Sequence, residues 1–289
     1  MSRNTAIQFM VFNMGRPQLV FLSMLLILSV PGTDLDAATI RVPGDFGSIQ
    51  EAVDRAAPGD VVIVEEGEYR ENVVIKKPVD LRGAGGGGGA GATVVEAART
   101  EEPVFRMEDT ENVSLTGFTA RGSKVAGIVL RNVRSSRLGN NRAVENTNGI
   151  MVYSSHDNTL FNNNADSNEV YGIYMEKSTA NRVRENTANR NGDKGIFLSS
   201  SHGNTITDNS ANLNTWNGIL VWSSNENLIR DNWTLRNTYG LVVGESRDNE
   251  MEDNTSLPNI FIIMPILLIY TGAVVYLIQK MIVRRLHGG

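Results

Sequence analysis

GIMVYSSHDNTLFNNNADSNEVY, residues 149–171, is followed at residues 172–194 by GIYMEKSTANRVRENTANRNGDK. Both segments are 23 residues long and open on Gly-Ile, and both place an aliphatic residue and then an asparagine at matched positions. The pattern continues outward from this pair. Gly127-Ile128, Gly149-Ile150, Gly172-Ile173, Gly195-Ile196, Gly218-Ile219 and Gly240-Leu241 are spaced by 22, 23, 23, 23 and 22 residues. Asn141, Asn163, Asn186, Asn209, Asn232 and Asn254 keep those intervals, and so do Leu138, Leu160, Val183, Ile206, Ile229 and Met251. Three series locked to one period mark a solenoid, propeller or array.

The composition of the unit selects among these. Leucine-rich repeats share the period, but their LxxLxLxxN core is missing. Helical repeats need longer units and helix formers, whereas these units combine Asn, Ser, Thr and Gly with short β-prone runs. A coil reading G-I-x-V/L, turn, N-x-I/L-x-x-N, turn resembles the parallel β-helix repeat. The fold class is therefore all-β: a right-handed, single-stranded parallel β-helix. Strand side chains alternate faces, so Ile128, Ile150, Ile173, Ile196, Ile219 and Leu241 are expected to stack inside as one column. Leu130, Val152, Met175, Leu198, Val221 and Val243 form a second. The Asn141-to-Asn254 series is expected at a bend, stacked as a structural asparagine ladder, with asparagine supplying the left-handed backbone of the bend. Asparagine makes up 24 of residues 140–254. The apolar columns separate this stretch from a disordered polar tract.

Upstream, SIQEAVDRAAPGDVVIVEEGEYRENVVIKKPVDLRGAG (residues 48–85) opens with a capping box, Ser48 to Glu51, in which each side chain satisfies a backbone N–H of the first turn. Ile49, Ala52, Val53 and Ala56 follow at helical spacing. This short helix is expected to cap the apolar end of the solenoid. Strands are read at Val61–Val64, Asn72–Ile75 and Val79–Arg82. The stretch resembles the opening coil of secreted β-helix proteins of the NosD and pectin-esterase type. That resemblance implies the fold and not an activity. GAGGGGGAGA at 83–92 reads as a flexible loop; it lacks the Lys-Ser/Thr of a phosphate loop.

Both ends carry membrane signals. Leu19–Val30 is an apolar run of 12 residues behind Arg16, the pattern of a signal peptide. Ile260–Ile278 is 19 residues without a charge, long enough to span a bilayer. Lys280, Arg284 and Arg285 beyond it set the C-terminus in the cytoplasm. The domains are then a signal peptide over 1–38 with cleavage near 32–38, the cap and first coils over 39–120, and the repeats over 121–257. A transmembrane helix over 258–283 and a basic tail over 284–289 complete the chain. The expected location is a cell membrane, crossed once, with the β-helix outside.

A formal charge of −5 and no cysteine exclude a general nucleic-acid binder, disulfides and thiolate chemistry. No lyase, polygalacturonase or pectin-esterase motif occurs. Tyr153, His156 and Asp157 are the weak candidates for acid–base chemistry, although the His156 position is an ordinary variable turn of the repeat. The NosD resemblance raises copper, but His156 and His202 lie two coils apart, about 10 Å. No copper, calcium or other cofactor is assigned. The outward rows are more informative. Val129, Met151, Tyr174, Phe197, Leu220 and Val242 form one, and Arg131, Tyr153, Glu176, Ser199, Trp222 and Gly244 the next. Together they predict an exposed aromatic stripe suited to a glycan or a surface protein, with Tyr153, Tyr174, Glu176, Phe197 and Trp222 as ligand-binding candidates. Of the sequons at Asn112, Asn232 and Asn254, only Asn112 lies outside the ladder and is a candidate for glycosylation. The leading functional reading is a non-catalytic, membrane-anchored binding module. The alternatives are a polysaccharide lyase or epimerase and a copper-maturation accessory.

Overall fold

The structure, a computed structural model, describes residues 37–86, 91–258 and 260–287. The signal-peptide reading falls on residues outside these, apart from its last two positions. Each coil pairs with its successor in parallel and at equivalent positions, for example Ile150 with Ile173 and Ile173 with Ile196. A ten-stranded sheet starts at Thr39–Val42 and ends at Glu250–Glu252. An eight-stranded sheet runs from Val73–Ile75 to Tyr239–Gly244 and carries the G-I-x-V/L segments. The third face begins as a four-stranded sheet, Gly67–Arg70 to Arg142–Ala143. Single bridges then continue it through Asn164, Thr187 and Ser210 to Trp233.

The fold is thus a three-faced parallel β-solenoid. Alternation places one residue in two inside. The Ile128 and Leu130 columns are fully buried until the last coil, where Leu241 and Val243 are only partly covered. The Leu138 column is buried as far as Ile229, and Met251 at its end is exposed. The third face buries Val95 and Phe118 in its first coils and then only small inward residues, Ala143, Ala165, Ala188 and Ala211.

The asparagines of the Asn141 series are stacked, and all are buried except the last, Asn254, which is half-buried. Asn163 Nδ2 donates to Asn186 Oδ1 at 3.0 Å, and Asn186 repeats this to Asn209 at 3.0 Å. Each Oδ1 also accepts the backbone N–H of the asparagine one coil earlier, at 2.9 Å for Asn163 to Asn186. The remaining amide hydrogen reaches a carbonyl, as Asn163 does to Leu138 at 2.9 Å. The structure holds two further ladders that the sequence analysis did not separate. Asn158, Asn181, Asn204, Asn227 and Asn249 form one. Asn146, Asn168, Asn191, Asn214 and Asn237 form the other. The ladder asparagines are not the left-handed residues. Those are the residues just before them, Asn140, Asn162, Glu185, Asp208, Asp231 and Asp253, with φ between 49° and 58°. The left-handed residue turns the corner, and the following amide then points inward.

The repeated glycine has a packing cause. A Cβ on Gly172 would lie 2.7 Å from Asn191 Nδ2 and 2.7 Å from the carbonyl of Gly195. The helix α1 (Ile49–Arg55) buries Ile49, Ala52 and Val53 at the first coils. Its capping differs from the sequence expectation. Ser48 Oγ accepts from Glu51 N at 3.1 Å, but Glu71 takes the N–H groups of Ile49 and Gln50, each at 2.9 Å. A carboxylate from a later coil serves the positive end of the helix while Glu51 stays exposed. Residues 87–90, the centre of the stretch read as a flexible loop, lie outside the described residues, and the described glycines before them pack against neighbouring coils. Gly85 N donates to Gly117 O at 3.1 Å, and a Cβ on Gly86 would meet Asn140 O at 2.4 Å. At the other end, α2 (Ile260–His287) is a helix of 28 residues. Among the described residues no helix is both long and apolar enough to cross a membrane.

Candidate functional site

The eight-stranded sheet sets the outward rows side by side. Tyr174 lies between Tyr153 and Phe197, with ring centroids 5.9 Å and 5.2 Å away. Tyr171 stacks on Tyr174 at 5.3 Å, and Lys194, in register with Tyr171 one coil on, sits over both Tyr171 and Phe197. Arg131 lies 4.9 Å from the Tyr153 centroid. Tyr174 Oη donates to Glu176 at 3.1 Å. Its pKa is pushed up to about 12, first by burial and next by the Glu176 carboxylate. Burial likewise raises Tyr153. Tyr171 and Lys194 were missed in the sequence, although their shared repeat position was readable.

The stripe is not exposed along its whole length. Val129 and Met151 are buried with Ala126 in a small cluster outside the solenoid core. In that row exposure begins at the half-buried Tyr174, while the next row is open from Arg131 and the half-buried Tyr153 onward. Trp222 stands apart, 40% exposed. It follows Ser199 in its row and packs over Gly244, where a Cβ would lie 2.4 Å from the indole.

The acid–base candidates do not assemble. His156 Nδ1 pairs with its neighbour Asp157 at 2.9 Å, both side chains largely exposed. Tyr153 Oη instead faces Met151 Sδ at 3.4 Å. His156 borders a shallow cavity of about 450 Å³ that it shares with Asp109, Glu111, Asn132 and Arg134. Two of those pairs are already closed, Arg134 with Glu111 and Asn132 with Asp109. Asn112 is exposed and Asn232 is fully buried.

The third face carries a group the sequence did not show. Glu68, Glu96 and Arg121 come from three successive strands, with Arg121 Nη2 at 3.4 Å from Glu68 and 3.5 Å from Glu96. Beside them a cavity of about 710 Å³ is lined by Thr119, Arg121, Arg142, Glu66, Glu68 and Glu145, with Gly91 and Ala92 forming one wall.

The parallel coils, buried ladders and outward site rows define a parallel β-solenoid protein. Residues 88–217 and 210–264 match the model of the family described as periplasmic copper-binding protein (NosD). The chain belongs to the NosD family. A cell surface glycoprotein of Methanothermus fervidus is 27% identical over 122 residues, which is 41% of this chain and 19% of that protein's length. Among solved structures, a double mutant of the periplasmic alginate epimerase AlgG is similar with a TM-score of 0.55 at 15% identity, covering 68% of this chain and 61% of that one. The catalytic domain of a GH87 alpha-1,3-glucanase, in complex with nigerose, also reaches 0.55 at 14% identity, covering 75% and 58%. These two likenesses show the shared fold alone.

The described residues do not fit a copper centre. Copper favours imidazole, thiolate and thioether donors gathered around one point. No group of three or more His, Cys, Asp or Glu side chains is placed to hold a metal among the described residues. His202 Nδ1 accepts the Asn225 N–H at 3.0 Å, and Met107 and Met175 are sealed in the core.

Proposed function

We propose that this chain is a non-catalytic binding module outside the cytoplasm, tethered by Ile260–Ile278, that presents its aromatic face to a carbohydrate. The family's periplasmic description and the surface location in the relative's name support the compartment. The tether is supported by the side chains described in α2. Leu268, Ile269, Val275, Leu277 and Ile278 are between 47% and 74% exposed, an uncovered apolar helix that lipid would accommodate.

The observation that carries the reading is the half-open cluster of Tyr153, Tyr171, Tyr174 and Phe197 with Lys194 over it. Flat apolar faces next to charged and hydroxyl groups match the alternation of C–H and O–H surfaces on a sugar. The test is a glycan array probed with the full chain and with Tyr174→Ala and Trp222→Ala. We expect binding to fall about tenfold or more, the loss of roughly 1.4 kcal/mol. Unchanged binding in both variants rules out this face.

A second reading, catalysis on a polysaccharide, rests on Glu68, Glu96 and Arg121 meeting on adjacent coils. Release of new chain ends or a change in sugar configuration, followed by chromatography and NMR, decides between the two.

A further inference from the structure

The cavity on the third face contains a buried polar group without a partner. Thr119 is 3% exposed, and its Oγ1 makes no hydrogen bond among the described residues. Its register places it between Val94 and Arg142, and it is one of the residues lining the cavity. A buried hydroxyl left unpaired costs about 1–3 kcal/mol, so a site that keeps one is open to a ligand that pairs it. Arg142, half-buried beside it, makes no ion pair among the described residues, whereas Arg121 is shared between Glu68 and Glu96. The site therefore has one uncommitted guanidinium, one uncommitted hydroxyl, and a rim of carboxylates from Glu66, Glu68 and Glu145.

These groups specify a ligand. A guanidinium fork matches a carboxylate in two parallel hydrogen bonds. The three rim carboxylates oppose a doubly charged phosphate monoester, but each accepts hydrogen bonds from hydroxyl groups. A molecule with one negative charge per unit and several hydroxyls satisfies both ends. The volume lies within the range of about 300–1,000 Å³ usual for small-ligand sites. We infer that this cavity binds a uronic-acid unit of an acidic saccharide, its carboxylate on Arg142 and Thr119 and its hydroxyls on the rim glutamates. The site lies on a different sheet from the aromatic face and stands without it.

The experiment is titration calorimetry on the full chain, in a detergent without a sugar headgroup. The probes are short oligogalacturonate, oligoguluronate and oligomannuronate, with neutral oligogalactan as control. At least one acidic probe is expected to bind and the neutral control to bind at least about tenfold more weakly, the usual worth of a charge-assisted hydrogen bond. Arg142→Ala is expected to weaken binding by at least that factor, and Arg142→Lys by less. Thr119→Val is informative because it removes an unpaired hydroxyl. Its melting temperature is expected to equal or exceed that of the parent while affinity drops several-fold. Binding to none of the acidic probes, equal binding of the neutral control, or parent-like binding by Arg142→Ala and Thr119→Val each overturns the site. Loss confined to Tyr174→Ala overturns it too, while leaving the aromatic face in place.

Discussion

The inside and the outside of one strand are a single residue apart, yet they obey different rules. At the inward position Ile128, Ile150, Ile173, Ile196 and Ile219 are unchanged over five coils and fully buried. At the next residue the chain carries Val129, Met151, Tyr174, Phe197 and Leu220, and exposure varies from coil to coil. An inward residue touches its own kind above and below, so each coil constrains the next. An outward residue answers only to its neighbours in the row and to solvent. The period therefore records the fold, and departures from it on the outer face are where recognition can be written.

The largest test of this contrast is a ladder residue. Asn209→Leu removes the acceptor of Asn186 Nδ2 and of Asn186 N, and the donor to Val183 O. Each orphaned buried group costs roughly 1–3 kcal/mol, so the melting transition should fall steeply or split. Arg182→Ala, at an exposed position beside the buried Val183, should stay within about 0.5 kcal/mol of the parent. Equal losses in the two variants, measured by urea denaturation, would erase the distinction between inside and outside.

A smaller effect is expected at the glycine that opens the repeat. Gly172→Ala forces a methyl group against Asn191 Nδ2, the carbonyl of Gly195 and Ala188 Cβ, all within 2.8 Å. Overpacking of this kind costs about 1–3 kcal/mol. Because the clash lies between coils, the change should loosen amide-exchange protection in coils on both sides. A loss confined to residue 172 would mean that the glycine serves only its own turn.

These residues also show how far the sequence could be read. The Gly-Ile, Leu138 and Asn141 series are legible because each keeps one position in every coil. The Asn158 and Asn146 ladders were equally periodic but lay among other turn residues, where burial is what sets them apart. The Arg121 cluster was not legible for a different reason. Arg121 and Glu68 are 53 residues apart, and the glycine run between them breaks the period, so counting cannot align their strands. The exposed stripe was over-read at Val129 and Met151, because a repeat fixes which way a side chain points but not what else covers it.

The finest test is a titration on the outer face. Tyr174 has its pKa raised to about 12, by burial and by Glu176, from an ordinary value of 10.0. The folded state therefore holds the phenol proton more tightly than the unfolded chain does. This contribution to stability is fully present below pH 10.0 and is lost as pH rises toward about 12, because the unfolded chain ionises first. Tyr174→Phe should remove that part of the alkaline decline in melting temperature and, at neutral pH, shift stability little. Ultraviolet difference absorbance should lose its latest-titrating tyrosine in the same variant. If the alkaline decline is identical in parent and variant, the Tyr174–Glu176 pair is open to solvent, and the outer face is less built than its ring contacts imply.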